Sequence, residues 1–224
     1  MLLDVFTSLF EQGVALTDVV ESCQPSCNDL SNGSDGTSQT IPHNAPPDMN
    51  VTGTINTLVE WAGKTTGVVV YDSDRDEFTD TAVFDTLKGK ANIAVIGLTT
   101  DGDVFGGFYS VAVTARGSPC YDPNIFAFSL ESNGRCATPQ KFAVKERLRD
   151  KATVEFFENN TNGFISFWVD FAGGFWLGNE RSNSTCIGMS CGFEEQEDTT
   201  LSGKDGNFHG EVHHCIRLIG IQLE

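Results

Sequence analysis

At 224 residues and a formal net charge of −17, the chain has room for one domain with an appendage, or for two small domains. The excess of carboxylates, with no basic stripe to counter it, excludes nucleic acid as a natural partner and disfavours anionic membrane surfaces. A basic protein partner or plain solubility fits that charge, and 23 glycines against 7 prolines suit many strands joined by tight turns.

The opening MLLDVFTSLFEQG carries an acid at Asp4 and no basic run, so it does not read as a signal peptide. Its apolar stretch is too short to span a bilayer. Seven cysteines, an odd number without a leader, point to free thiols in the cytoplasm. The Asn-x-Ser/Thr triplets at Asn32, Asn50, Asn159 and Asn183 are then chance matches. Residues 1–21 place Leu2, Phe6, Leu9, Phe10 and Val14 at helical spacing, which predicts an amphipathic helix weakened by Gly13. Its two readings are a docking helix and a self-association segment. Residues 22–54 are dominated by Ser, Asn, Gly, Asp and Pro and are expected to be a disordered linker. Cys23 and Cys27 have no second ligand pair nearby, which argues against zinc.

Regular structure is expected from about Ile55, so that residues 55–224 form the folded domain. GVVVY (67–71) reads as a buried strand. FTDTAVFDTLKGK reads as a helix capped by Thr79 or Asp80 and ended by Gly89, with Val83 and Leu87 facing inward. ANIAVIGLT (91–99) is apolar on both alternating faces and should be a central strand covered on both sides. Asp101-Gly102 is a hairpin signal, followed by a strand with Phe105 and Tyr109 on one face. IFAFSLE (125–131) puts Phe126, Phe128 and Leu130 on one side, and Asn133-Gly134 is a further turn. Short strands follow at KFAV, ATVEFFE, GFISFWVD and GGFWLGN, with a last one within 208–224. Many short strands and few helices predict a mainly β protein: a two-sheet antiparallel β-sandwich with a few short helices.

Three stretches invite chemistry. Asp72, Asp74 and Asp76 begin like a calcium loop, but its sixth and twelfth positions hold Glu77 and Val83 instead of Gly and Glu. The aspartates are better read as turn-makers. His209, Glu211, His213 and Cys215 alternate onto one strand face, where neighbours two apart are ~6.6–6.8 Å from each other, too far to share one ion easily. No nucleophile elbow or phosphate loop appears, and no motif implies a cofactor. A cysteine-dependent redox or hydrolytic enzyme using an exposed thiol, with Cys186 and Cys191 as candidates, is the alternative to a binding protein.

The run LVEWAGKTTGVVVYDSDRDEF, then IAVIGLTTDGDVFGGFYSVAV, DPNIFAFSL, FISFWVDFAGGFWLGNERS and CIRLIGIQLE resembles the TLDc domain family over about residues 55–224. The most specific match is Asp101-Gly102 followed by Phe105, Gly106 and Gly107; next is the late hairpin with Trp168, Asp170 and Gly178. The glycine-rich lead into that hairpin is reduced here to Asn162-Gly163, and the usual tryptophan near the C-terminus is missing. The resemblance implies a β-sandwich and a non-enzymatic, protein-binding role linked to oxidative-stress protection. It also implies association with the vacuolar proton-pumping ATPase (V-ATPase). Gly106 and Gly178 would then shape the backbone, while Glu194, Glu195 and Glu197 would offer contact charge to a pump subunit.

Overall fold

The structure, a computed structural model, describes residues 50–132, 137–158, 163–170, 173–179, 184–187, 189–194, 201 and 211–224. The expected N-terminal helix (1–21), most of the linker and the Asn133-Gly134 turn lie outside these residues. Among the described residues the first element opens at Asn50, whose side-chain oxygen accepts from the Gly53 N–H at 3.0 Å and caps α1 (Val51–Ala62). This start precedes Ile55 because an Asn cap and the following turn need no apolar residue to form. Gly63, at φ 65°, ends the helix. Its N–H donates to the Glu60 carbonyl and that of Lys64 to the Val59 carbonyl, the paired bonds of a Schellman turn.

The strands are β1 (Gly67–Asp72), β2 (Ile93–Thr99), β3 (Asp103–Tyr109), β4 (Cys120–Tyr121), β5 (Phe126–Ser132), β6 (Gln140–Ala143), β7 (Ala152–Phe156), β8 (Ile165–Val169), β9 (Gly173–Leu177), β10 (Ser184–Ile187), β11 (Glu211–His213) and β12 (Cys215–Leu223). Helix α2 (Asp80–Leu87) joins β1 to β2, a 3-10 turn spans Glu146–Lys151, and α3 (Met189–Gly192) follows β10. Two antiparallel six-stranded sheets result, ordered β1-β12-β2-β3-β5-β6 and β11-β10-β9-β8-β7-β4. They pack as a sandwich: Phe105 meets Phe175 edge-on at 6.2 Å, and Tyr109 lies 6.4 Å from Phe167.

Two cores follow from the period of two. On β2, Ile93 and Val95 point into the space between the sheets, while Ala94, Ile96 and Leu98 point outward under α1. Every β2 residue is therefore buried, which is why the strand is apolar throughout. Phe126 and Phe128 of β5 join the outer core, as their alternation predicts, with Leu130 packed against it. Helix α1 closes that core with Leu58, aided by Ile55, Val59 and Trp61. Thr79 caps α2 by accepting from the Ala82 N–H at 3.2 Å, and Val83 and Leu87 are buried.

Strand β3 carries the tightest constraint. A Cβ on Gly106 would overlap the Val95 carbonyl oxygen of the neighbouring strand and come within 2.9 Å of Phe128. One on Gly107 would meet the Phe167 ring of the opposite sheet at 2.7 Å. Gly102, at φ 88° in the β2–β3 turn, has open space around it. Gly106→Ala should therefore cost about 3 kcal/mol or more through backbone displacement, whereas Gly102→Ala should cost only about 1–2 kcal/mol of left-handed strain. Urea unfolding of the two variants checks the contrast.

The aspartates of the β1–α2 loop are turn-makers. The Asp74 N–H donates to the Asp72 carboxylate at 3.2 Å, and the Asp72 N–H donates to that of Asp76 at 2.8 Å. Both Asp72 oxygens accept from Arg217 of β12, at 2.9 and 2.8 Å, and Arg217 also lies 2.9 Å from Asp74. The hydrogen bonds from Arg217 hold the Asp72 carboxyl below its usual range. A depressed folded value gives stability that is present above the unfolded value and is lost as pH falls through the folded one. Asp72→Asn should lower stability by about 1 kcal/mol at pH 7, and melting curves of the two proteins should converge in acid.

Candidate functional site

The site is built on the β8–β9 hairpin. In β8, Ile165, Phe167 and Val169 face the inter-sheet core, so Ser166 and Trp168 face outward. In β9, Phe175 and Leu177 face inward and Trp176 outward. Register places Trp168 opposite Gly174 and Trp176 opposite Ser166. The two indoles lie diagonally adjacent, with centroids 6.1 Å apart and planes at 37°, and both are half-exposed.

Each indole rests where a side chain is missing. A Cβ on Gly174 would meet Trp168 at 2.6 Å, and one on Gly163, itself at φ 118°, would meet Trp176 at 2.7 Å. The reduced glycine lead into this hairpin thus keeps the one glycine that the second indole sits on. With glycine beneath them, the rings lie against the sheet as flat apolar plates with polar N–H edges.

Glu155 of β7 completes the face. It lies opposite Ser166, and both are buried. Burial, with the nearby Glu158 charge adding to it, pushes the Glu155 carboxyl above its ordinary range. Asp170 sits at the hairpin turn in a left-handed conformation (φ 47°) and accepts a 2.6 Å bond from the Lys151 ammonium. Its N–H donates to the Lys151 carbonyl, so the turn is tied to the 3-10 segment.

The other expected site residues fall elsewhere. Asp101 and Gly102 form the β2–β3 turn, while Phe105, Gly106 and Gly107 are buried within β3. Gly178 is buried just beyond β9. Glu194 is exposed, with its N–H bonded to the Ala143 carbonyl of β6, an edge strand of the other sheet. Glu195 and Glu197 lie outside the described residues. The structure therefore groups Trp168 and Asp170 on one hairpin, and Gly192, two residues before Glu194, packs against Val169 and Gly173 of that hairpin. Trp176, Ser166 and Glu155 were missed in the sequence; a period-two count across the hairpin would have found Trp176 beside Trp168.

The alternating face read across 208–215 is not one strand. The chain leaves the second sheet after His213 and enters the first at Cys215, which lies buried beneath Gly97. The backbone changes sheets there because an apolar β12 must pair with β2. His209 is outside the described residues. Among the described residues, no cluster of His, Cys, Asp or Glu could hold a metal ion. Cys191 is half-buried on α3; Cys186 is in β10, its side chain undescribed. No described helix is long and apolar enough to cross a membrane.

Among described helices, α1 packs on the outer face of the first sheet, and none contributes to the Trp168–Trp176 face. Because the folded Glu155 value is raised, its charge opposes folding at neutral pH, and the penalty is relieved as pH falls through that value. Glu155→Gln should therefore raise the melting temperature at pH 8, and the gain should shrink on acidification. A melting series from pH 8 to about pH 4 tests this; a gain that grows in acid would contradict the buried-acid reading.

No protein-family model matches the chain, and no curated protein is significantly similar to it.

Proposed function

We propose that this chain is a non-enzymatic protein-binding regulator of the TLDc type, acting in the cytoplasm, with a V-ATPase subunit as its partner. The observation that carries the binding role is the half-exposed indole pair of Trp168 and Trp176, seated on Gly174 and Gly163. Trp supplies large contact area at little side-chain entropy cost and is enriched where binding energy concentrates. The partner assignment rests on the resemblance over residues 55–224, and the β-sandwich is the architecture that resemblance implies. Protection against oxidative damage would follow through the partner.

The test is capture of purified pump subunits on the full-length chain, beside a Trp168→Ser/Trp176→Ser double variant shown to be folded. Retention on the wild type, weakened about tenfold or more on the variant, is expected. A folded wild-type chain that retains no subunit overturns the partner. Equal retention by both chains overturns the indole face as the contact.

A further inference from the structure

On the opposite side of the fold from β8 and β9, where α1 ends over the first sheet, the surface opens into a cleft of about 340 Å³. Its floor is the stacked pair Phe108 and Phe126, with centroids 4.8 Å apart. Trp61 and Ala62 of α1 form one wall; Ser110, beyond β3, and Asn124, before β5, form another. Lys64, Lys141 and Arg149 line it as well, and no Asp or Glu does among the described residues. In a chain with 31 acidic and 14 basic residues, three cations converging without a lining acid is a reversal of the general charge.

The fold holds these cations in place. The Schellman turn at Gly63 delivers Lys64 to the rim. The Lys141 ammonium donates to the Trp61 carbonyl at 2.7 Å and lies 4.3 Å above the Phe126 ring. Of its three hydrogens, that leaves two for another acceptor. Partial burial lowers its pKa. Arg149 gives one nitrogen to Glu146 at 2.9 Å, an exposed pair, and retains further donors.

A buried acid, Asp122, stands behind Ser110 and Asn124 with its oxygens turned onto these two residues. Asp122 accepts from the Ser110 N–H, from the Ser110 hydroxyl at 2.7 Å and from the Asn124 N–H at 2.9 Å. The Asn124 amide in turn donates to the Ser110 hydroxyl at 3.2 Å. This network fixes one wall as a rigid polar surface. Asn92, also in the lining, holds a left-handed backbone (φ 57°) and accepts from the Leu223 N–H.

We infer that this cleft binds a small organic polyanion, with two or more phosphate or carboxylate groups on a hydroxylated frame. Three cations match two or more anionic groups, Ser110, Asn124 and Asn92 match hydroxyls, and the volume is that of a small-ligand site. The overall charge of −17 repels anions from the rest of the surface, so binding here is selective by default. This site is independent of the indole face, and its failure leaves the protein-binding proposal untouched.

The experiment is calorimetric titration of the full-length chain with glucose 1,6-bisphosphate, citrate, inorganic phosphate and glucose. Binding of the bisphosphate or of citrate, at least about tenfold tighter than inorganic phosphate and absent for glucose, is expected. Which of the two binds more tightly assigns phosphate or carboxylate. Lys64→Gln/Arg149→Gln should weaken binding at least about fivefold, whereas Glu146→Gln, which releases Arg149, should strengthen it about twofold. Neither polyanion binding at about 5 mM, equal affinity for inorganic phosphate, or an unchanged affinity in the folded double variant overturns the inference.

Discussion

Strand β3 has no room for side chains at two consecutive positions, and the sandwich closes around that gap. Gly106 brings β3 against the Val95 carbonyl of β2, and Gly107 admits the Phe167 ring from the other sheet. Phe167 in turn stacks on Phe175 at 4.9 Å, and Phe175 meets Phe105. The aromatic centre of the protein is therefore organised by an absence: the missing Cβ at Gly107 lets three rings from two sheets share one volume, while the one missing at Gly106 lets β3 close on β2 and on Phe128 of the outer core. Filling Gly106 would force apart strands whose spacing is set by hydrogen bonds, and filling Gly107 would push on the ring that packs the two sheets together.

The same device recurs on the outside of the second sheet with the opposite consequence. Gly174 and Gly163 also make room for rings, but there the rings are indoles, and they are left half-exposed. The first sheet has α1 over its outer face, so its outward residues are Ala94, Ile96 and Leu98. The second alternates apolar inward residues with Thr153, Glu155, Ser166 and the two tryptophans outward. The composition of each outward row follows from what lies over it: aliphatic beneath a helix, mixed polar and aromatic where no described helix sits.

Much of this was legible in the sequence, because period-two alternation and turn residues are local signals. ANIAVIGLT declared a doubly covered strand, Asp101-Gly102 a hairpin, and IFAFSLE a one-sided aromatic row. What could not be read was anything that depends on which strands become neighbours. The alternating acids and histidines of 208–215 looked like one face, yet the backbone changes sheets at His214, since pairing partners outside the segment decide its course. Lys141 and Arg149 lie close in sequence, but Lys64 is far from both, and only the end of α1 lying over the first sheet brings it to them. The role of Asp72 was half legible: the turn is local, but its partner Arg217 lies 145 residues away.

The position of β12 bears on how the chain comes to fold. It lies between β1 and β2, so Gly67 pairs with Leu223 and Thr99 with Cys215. Neither early strand has its native neighbour on that side until residues beyond 214 have been made. During synthesis β1 and β2 are therefore held open, while the β2–β3 and β8–β9 hairpins can form from nearby sequence. Pairings of such large separation delay closure, and an unfilled slot between two apolar strands is a place where a strand from another molecule could add. The insertion of β12 is thus the step at which this molecule commits to its own fold instead of to association with a neighbour.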